Sequence, residues 1–183
     1  MKNFYEEIFD KMNNILKATD YVALEKITKS LISANSKNKK VIIFGNGGSA
    51  AISSHVSVDL TKNARIRCIN FNEADLLTCF SNDFGYEKVF SKSIEFYADK
   101  GDVVIIVSAS GKSKNLLEAA KICKQKKIFI CTLTGFSKSN PLKKMGNINL
   151  WVNSKAYNII ENIHQIWLLS IVDRIIGKSE YSA

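Results

Sequence analysis

The hydrophobic and polar positions of this 183-residue chain follow two different periods, and the changes between them outline the fold. Apolar residues recur at helical spacing near the start, at Phe4, Ile8, Met12 and Ile15 and then at Leu24, Ile27 and Leu31. That stripe predicts two helices with a break at Asp20. Short apolar runs follow at 41–45, 66–71, 103–107, 128–132 and 148–152. Runs without polar alternation suit strands buried on both faces, the condition of a parallel sheet. Helical patterns at 49–62, 73–80, 86–98 and 114–125 separate them. The alternation predicts an α/β fold, a five-stranded parallel sheet flanked by helices, with two leading helices and a long C-terminal one.

That last helix is expected from Tyr157 to Ile176, apolar nearly all round, with Ile159, Ile160, Ile163, Trp167, Leu168 and Ile171 among its residues. A helix apolar on every face needs cover on every face, which one sheet does not supply, so a homo-oligomer is expected. The length suits one domain, residues 1–183, with 1–37 as a helical oligomerisation segment and 38–183 as the α/β core and C-terminal helix.

Two strand ends carry the chemistry. Val41-Ile42-Ile43-Phe44 breaks into Gly45-Asn46-Gly47-Gly48-Ser49, and Asp102 to Val107 runs into Ser108-Ala109-Ser110-Gly111-Lys112-Ser113. Glycine takes positive φ and leaves room for a ligand against the backbone, and the first N–H groups of the following helix have no intrahelical partner. Hydroxyls at 108, 110 and 113 add donors that need no change of ionisation. A phosphate suits both loops.

The balance of 26 basic and 17 acidic residues, +9 overall, favours anionic ligands. The lysines lie in scattered runs such as 37–40 and 124–127, with no basic stripe interleaved with aromatics, so no nucleic-acid partner is expected. Cys68, Cys79, Cys123 and Cys131 have no C-x-x-C spacing and read as reduced thiols. Met1 to Ala18 carries Glu6, Glu7 and Asp10, unlike a leader, and no run is long enough to span a membrane, so a cytoplasmic protein with no membrane partner is expected.

Both histidines sit beside carboxylates at helical spacing, His55 with Asp59 and His164 with Glu161. Such pairs suit a metal ion or acid–base work, or else local hydrogen bonding, with His164 packed on Trp167. Glu161 lies among Ile159, Ile160 and Ile163, where a carboxylate requires a partner. Asn82-Asp83-Phe84-Gly85-Tyr86 reads as a polar turn that either caps a helix or meets a substrate hydroxyl.

Together the GNGGS loop at 45–49, His55, the NDFGY stretch at 82–86, Gly101-Asp102-Val103 and the loop at 108–113 resemble the sugar-isomerase (SIS) domain of the phosphoheptose isomerase family. The resemblance implies a flavodoxin-like three-layer sandwich, a homotetramer with sites at subunit interfaces, and isomerisation of sedoheptulose 7-phosphate for lipopolysaccharide or capsule precursors. It implies substrate contacts at Asn46, Gly47, Ser49, Asp83, Ser108, Ala109, Ser110 and Ser113, with the serines of the second loop on the phosphate. Where family members carry His, Glu, Gln and His around a zinc ion, this chain has His55, Asp59, Glu161 and Leu169. Ala109, Asn63 and Asn158 stand where the family usually has Thr, Arg and Asp. The expected scheme has Asp59 taking the proton α to the carbonyl, Zn2+ on His55, Asp59 and Glu161 polarising the oxygen, and His164 returning the proton. The alternatives are an isomerase-like protein for another phosphosugar, or a SIS protein that binds a phosphosugar or a protein without catalysis, as related replication-initiator-associating proteins do.

Overall fold

Five parallel strands form the centre of the computed structural model, which describes residues 3–181: β1 (Val41–Gly45), β2 (Cys68–Ile69), β3 (Val103–Ser108), β4 (Phe129–Thr134) and β5 (Ile148–Trp151). Positions 1, 2, 182 and 183 of the expected unit lie outside the described residues. The strand order is β2-β1-β3-β4-β5, all pairs parallel. Helices α1 (Phe4–Lys17) and α2 (Tyr21–Ser36) precede the sheet. They are joined at Asp20, whose carboxylate accepts the Ala23 N–H at 2.9 Å and so caps α2, which is the physical content of the predicted break. The others are α3 (Gly48–Lys62), α4 (Ala74–Phe84), a 3₁₀ turn at Tyr86–Lys88, α5 (Val89–Tyr97), α6 (Lys114–Gln125) and α7 (Tyr157–Ile176).

Alternate strand residues feed two cores. Val41, Ile43, Val103, Ile105, Cys131 and Leu133 pack with α2, α3 and α7, while Ile42, Phe44, Val104, Ile106 and Ile130 pack with α5 and α6. Both faces of the central strands are closed, which is why they read as unbroken apolar runs.

Three expectations change. The run at 66–71 pairs only at Cys68–Ile69; Ile66 and Phe71 are buried in opposite cores instead of in the ladder. Its apolarity reports packing, not pairing. Residues 82–84 form the last turn of α4, closed by Gly85 at φ 85°, so the expected polar turn begins one step later. The all-round apolar pattern of α7 is largely met within the chain, since α1, α2 and α3 pack around it and Trp167 Nε1 donates to Thr19 Oγ1 at 2.9 Å. Tyr157 and Ile166 of α7 stay exposed, as do Phe4, Tyr5 and Phe9 on α1 and Tyr21, Val22 and Ile32 on α2.

All four cysteines are free. Burial pushes the thiols of Cys68, Cys123 and Cys131 up to about 12, so they stay protonated and inert. Among the described residues no helix is long and apolar enough to cross a membrane.

Candidate functional site

The chain turns in opposite directions after β1 and β3, leaving a crevice at their C-terminal ends, the place where open parallel sheets bind ligands. Both glycine- and serine-rich loops open there. Gly45 ends β1 so tightly that a Cβ would come within 2.6 Å of the Val107 carbonyl oxygen and of Ser49 Cβ, so glycine is what lets the start of α3 approach β3. Gly47 caps α3 at φ 55°, and no side chain caps that helix end. Its first-turn dipole opens on the crevice, where the Glu161 carboxyl group also lies.

In the second loop Gly111 adopts φ 62° with Asn140 packed where a Cβ would stand. Ser108 Oγ accepts the Gly111 N–H at 3.1 Å and Ser110 Oγ the Lys112 N–H at 3.2 Å. Each hydroxyl shapes the loop as an acceptor and keeps its own proton to donate. Asn46, Ser49, Ser108, Ala109, Ser110 and Ser113 line one cavity of about 120 Å³, together with Leu116, Tyr157 and Glu161. Six of the eight expected substrate residues are thus brought together. Gly47 does not line the cavity and is the N-cap of α3. Asp83 does not join them: it is exposed on the last turn of α4, where its carboxylate accepts Asn82 Nδ2 at 2.9 Å and the Cys79 thiol at 3.6 Å. Tyr157 carries no sequence signal of its own beyond opening the last helix.

The other candidates lie along α3 and α7. His55 Nε2 stands 3.4 Å from Asp59 Oδ2, and Asn63 Nδ2 donates to the other carboxylate oxygen at 3.2 Å. Gln165, one turn beyond Glu161, meets His55 Nδ1 at 3.2 Å. Glu161 itself turns to the start of α3, its carboxyl group lying where a Cβ of Gly48 would be. The positive end of the helix is thus the partner its apolar surroundings demanded.

The expected metal set is therefore not assembled. Glu161 shares a cavity with His55 and Gln165 but sets its carboxyl group against Gly48, the ring nitrogens of His55 face Asp59 and Gln165, and Leu169 packs on the core. Among the described residues no three His, Cys, Asp or Glu side chains gather as metal ligands. The residues as they stand do not fit a zinc ion.

His164 is also corrected. It is 0 % exposed, its Nε2 meets the Thr134 carbonyl oxygen at 3.2 Å, and its Nδ1 has no partner. Burial lowers its pKa to about 4, against the weaker effect of that hydrogen bond. A neutral imidazole packed near Trp167 inside the core is in no position to pass a proton to a ligand in the crevice.

A model of the SIS domain matches residues 3–135. The phosphoheptose isomerase of Cytophaga hutchinsonii is 39% identical over 140 residues, 74% of this chain and 68% of that protein. That of Buchnera aphidicola is 33% identical over 181 residues, 93% of each. The fold superimposes on a phosphoheptose isomerase from Francisella tularensis with a TM-score of 0.87 at 23% identity, covering 96% of this chain and 95% of that one. The matched span contains both loops of the crevice, and the chain belongs to the SIS-domain family of phosphoheptose isomerases.

Proposed function

We propose that this protein isomerises a sugar phosphate between ketose and aldose, with sedoheptulose 7-phosphate as its substrate, to supply precursors of a surface polysaccharide. The observation that carries the reading is the cavity at the β1–β3 crevice, where Ser49, Ser108, Ser110 and Ser113 and the start of α3 line a volume suited to a phosphoryl group. The relatives named phosphoheptose isomerase support the choice of sugar.

The reaction moves two hydrogens, one between carbons and one between oxygens. A base removes a proton from C1 of the ketose, and the C1–H pair becomes the C1–C2 double bond while the C2 carbonyl pair moves onto O2, which takes up a proton to give the enediol. Return of a proton to C2 with loss of the O1 proton then gives the aldose with no net change in atoms. Asp59 suits the base, because Asn63 and His55 hold its carboxylate in a fixed orientation. A single carboxylate serves both carbons, the proton transfer between O1 and O2 passes through solvent water, and the buried His164 takes no part.

Asp59 lies ten residues beyond Ser49 on the same helix, about 15 Å along the axis. A seven-carbon sugar phosphate spans about 10 Å even when extended, so the phosphate cavity of one copy is completed by the partner's Asp59. Val58 and Ile166, 58 % and 40 % exposed beside the His55–Asp59–Gln165 group, give that contact an apolar surface. A homotetramer built on α1, α2 and α7 accommodates such a site. A cytoplasmic setting suits the free cysteines.

The test is proton NMR of sedoheptulose 7-phosphate with the protein, following the anomeric signal of an aldoheptose phosphate. Its appearance at enzymatic rates supports the reading. Turnover of a different ketose phosphate alone moves the assignment to another phosphosugar, and binding without turnover of any leaves a phosphosugar-binding protein.

A further inference from the structure

Asn46 is the first residue beyond β1 and lines the crevice cavity, and its amide is locked from two sides. Asn115, 3 % exposed in the first turn of α6, accepts the Leu116 N–H on its Oδ1 at 2.9 Å. A backbone N–H only donates, so this contact fixes which end of the Asn115 amide is oxygen. The two amides then pair reciprocally, Asn46 Nδ2 to Asn115 Oδ1 and Asn115 Nδ2 to Asn46 Oδ1, both at 3.0 Å. Tyr86 Oη donates to the same Asn46 oxygen at 3.0 Å. The carbonyl of Asn46 is filled by two donors and one of its N–H bonds is used. Its other N–H has no protein acceptor among the described residues.

Resting on the sugar-phosphate reading above, we propose that Asn115 and Tyr86 are positioning residues that hold Asn46 as an obligate N–H donor, so that the cavity selects ligand groups bearing only acceptor oxygens, a phosphoryl group above all. An unrestrained Asn presents either its oxygen or its nitrogen. With the oxygen turned inward it would repel a phosphate, so the polarity of this one amide decides whether the first loop attracts or opposes the anion. The polarity originates in a backbone N–H on α6 and reaches the cavity through one buried side chain. Tyr86 adds the second donor from the 3₁₀ turn, whose neighbour Glu87 pairs with Lys114 at 3.0 Å and ties that turn to α6.

Asn115→Asp tests the relay by reversing it. At pH 8 the introduced carboxylate offers only acceptors, draws both N–H bonds of Asn46 toward itself and turns the Asn46 oxygen to the ligand. As pH falls through the carboxylate range, protonation of that group restores a donor to Asn46 Oδ1. Calorimetric titration with inorganic phosphate and with sedoheptulose 7-phosphate is therefore expected to show a deficit of more than tenfold for Asn115→Asp relative to wild type at pH 8, shrinking as pH falls. Glu161 and Tyr157 on the same wall are common to both proteins and cancel in the ratio. Tyr86→Phe removes one oxygen at a residue 58 % exposed, leaves folding intact, and is expected to weaken both ligands roughly threefold to tenfold at every pH. Wild-type binding with both variants unaffected, or an Asn115→Asp deficit that stays constant with pH, overturns the positioning role alone. A wild-type protein that binds neither ligand overturns the sugar-phosphate reading, and this role with it.

Discussion

The phosphate cavity and the His55–Asp59 pair stand on the same helix, α3, and are made in different ways. The cavity is built largely from backbone: Gly47 and Gly111 at positive φ, a helix N-terminus, and hydroxyls that accept loop N–H groups. Ser49, Ser108 and Ala109 are each less than a tenth exposed, so the fold that buries them also makes the site. The pair consists of side chains on an open face, His55 about half exposed, oriented only by Gln165 and Asn63. Such a face depends on individual side chains: Leu169 packs on the core and Glu161 sets its carboxyl group against Gly48. A site set by backbone is tied to the fold, whereas one set by exposed side chains is tied only to those residues.

The strongest way to separate the two ends is Asp59→Asn, which keeps shape and removes the base. Isomerase turnover is expected to fall by about a thousandfold, while calorimetry with inorganic phosphate gives the wild-type affinity. Equal losses of both would mean that the two ends do not divide the work.

Gly45→Val attacks the backbone end. The added side chain meets the Val107 carbonyl and Ser49, and denaturant unfolding is expected to show a loss of about 3 kcal/mol. A neutral outcome would show that the approach of α3 to β3 is not under steric control.

His164 sharpens the comparison by pH. Its folded pKa of about 4 lies below the ordinary value of 6.5, so between those values the unfolded chain binds more protons. The contribution is complete above pH 6.5 and is lost as pH falls through 4, on the order of 3 kcal/mol across the window. Urea midpoints measured from pH 7 to pH 4 should drop in wild type and flatten in His164→Leu. A histidine working in the crevice would instead leave stability level and move the activity profile.

The smallest expected effect is that of Ser110→Ala, which deletes one donor from a loop that keeps its amides. Phosphate affinity should weaken roughly tenfold with no change in melting temperature. An unchanged affinity would remove the loop from the phosphate site.

Much of this was legible in the sequence. Strand ends β1 and β3 declared themselves because unbroken apolar runs stop at glycine and serine, and Asp20 because a carboxylate before an apolar stripe caps a helix. The run at 66–71 misled because burial in two different cores looks, in one dimension, like a buried strand. His164 was misplaced because its i, i+3 spacing from Glu161 suggested a pair, whereas Ile160, Ile163, Trp167 and Leu168 put it on the buried face of α7. Gln165 and Asn115 carry no local signal, since each acquires its role from a residue on another helix or loop, 110 positions away for the first and 69 for the second.

The most direct test of the account is deuterium exchange during turnover. Wild type and Asp59→Asn are incubated with sedoheptulose 7-phosphate in D₂O, and proton NMR follows both the anomeric signal of the product and loss of the C1 proton signal of the ketose. The account predicts aldose formation with deuterium entering beside the carbonyl in wild type, and neither in Asp59→Asn. Exchange that proceeds equally in both proteins would contradict Asp59 as the base, and no exchange or product in wild type, with phosphate still bound, would contradict the isomerase itself.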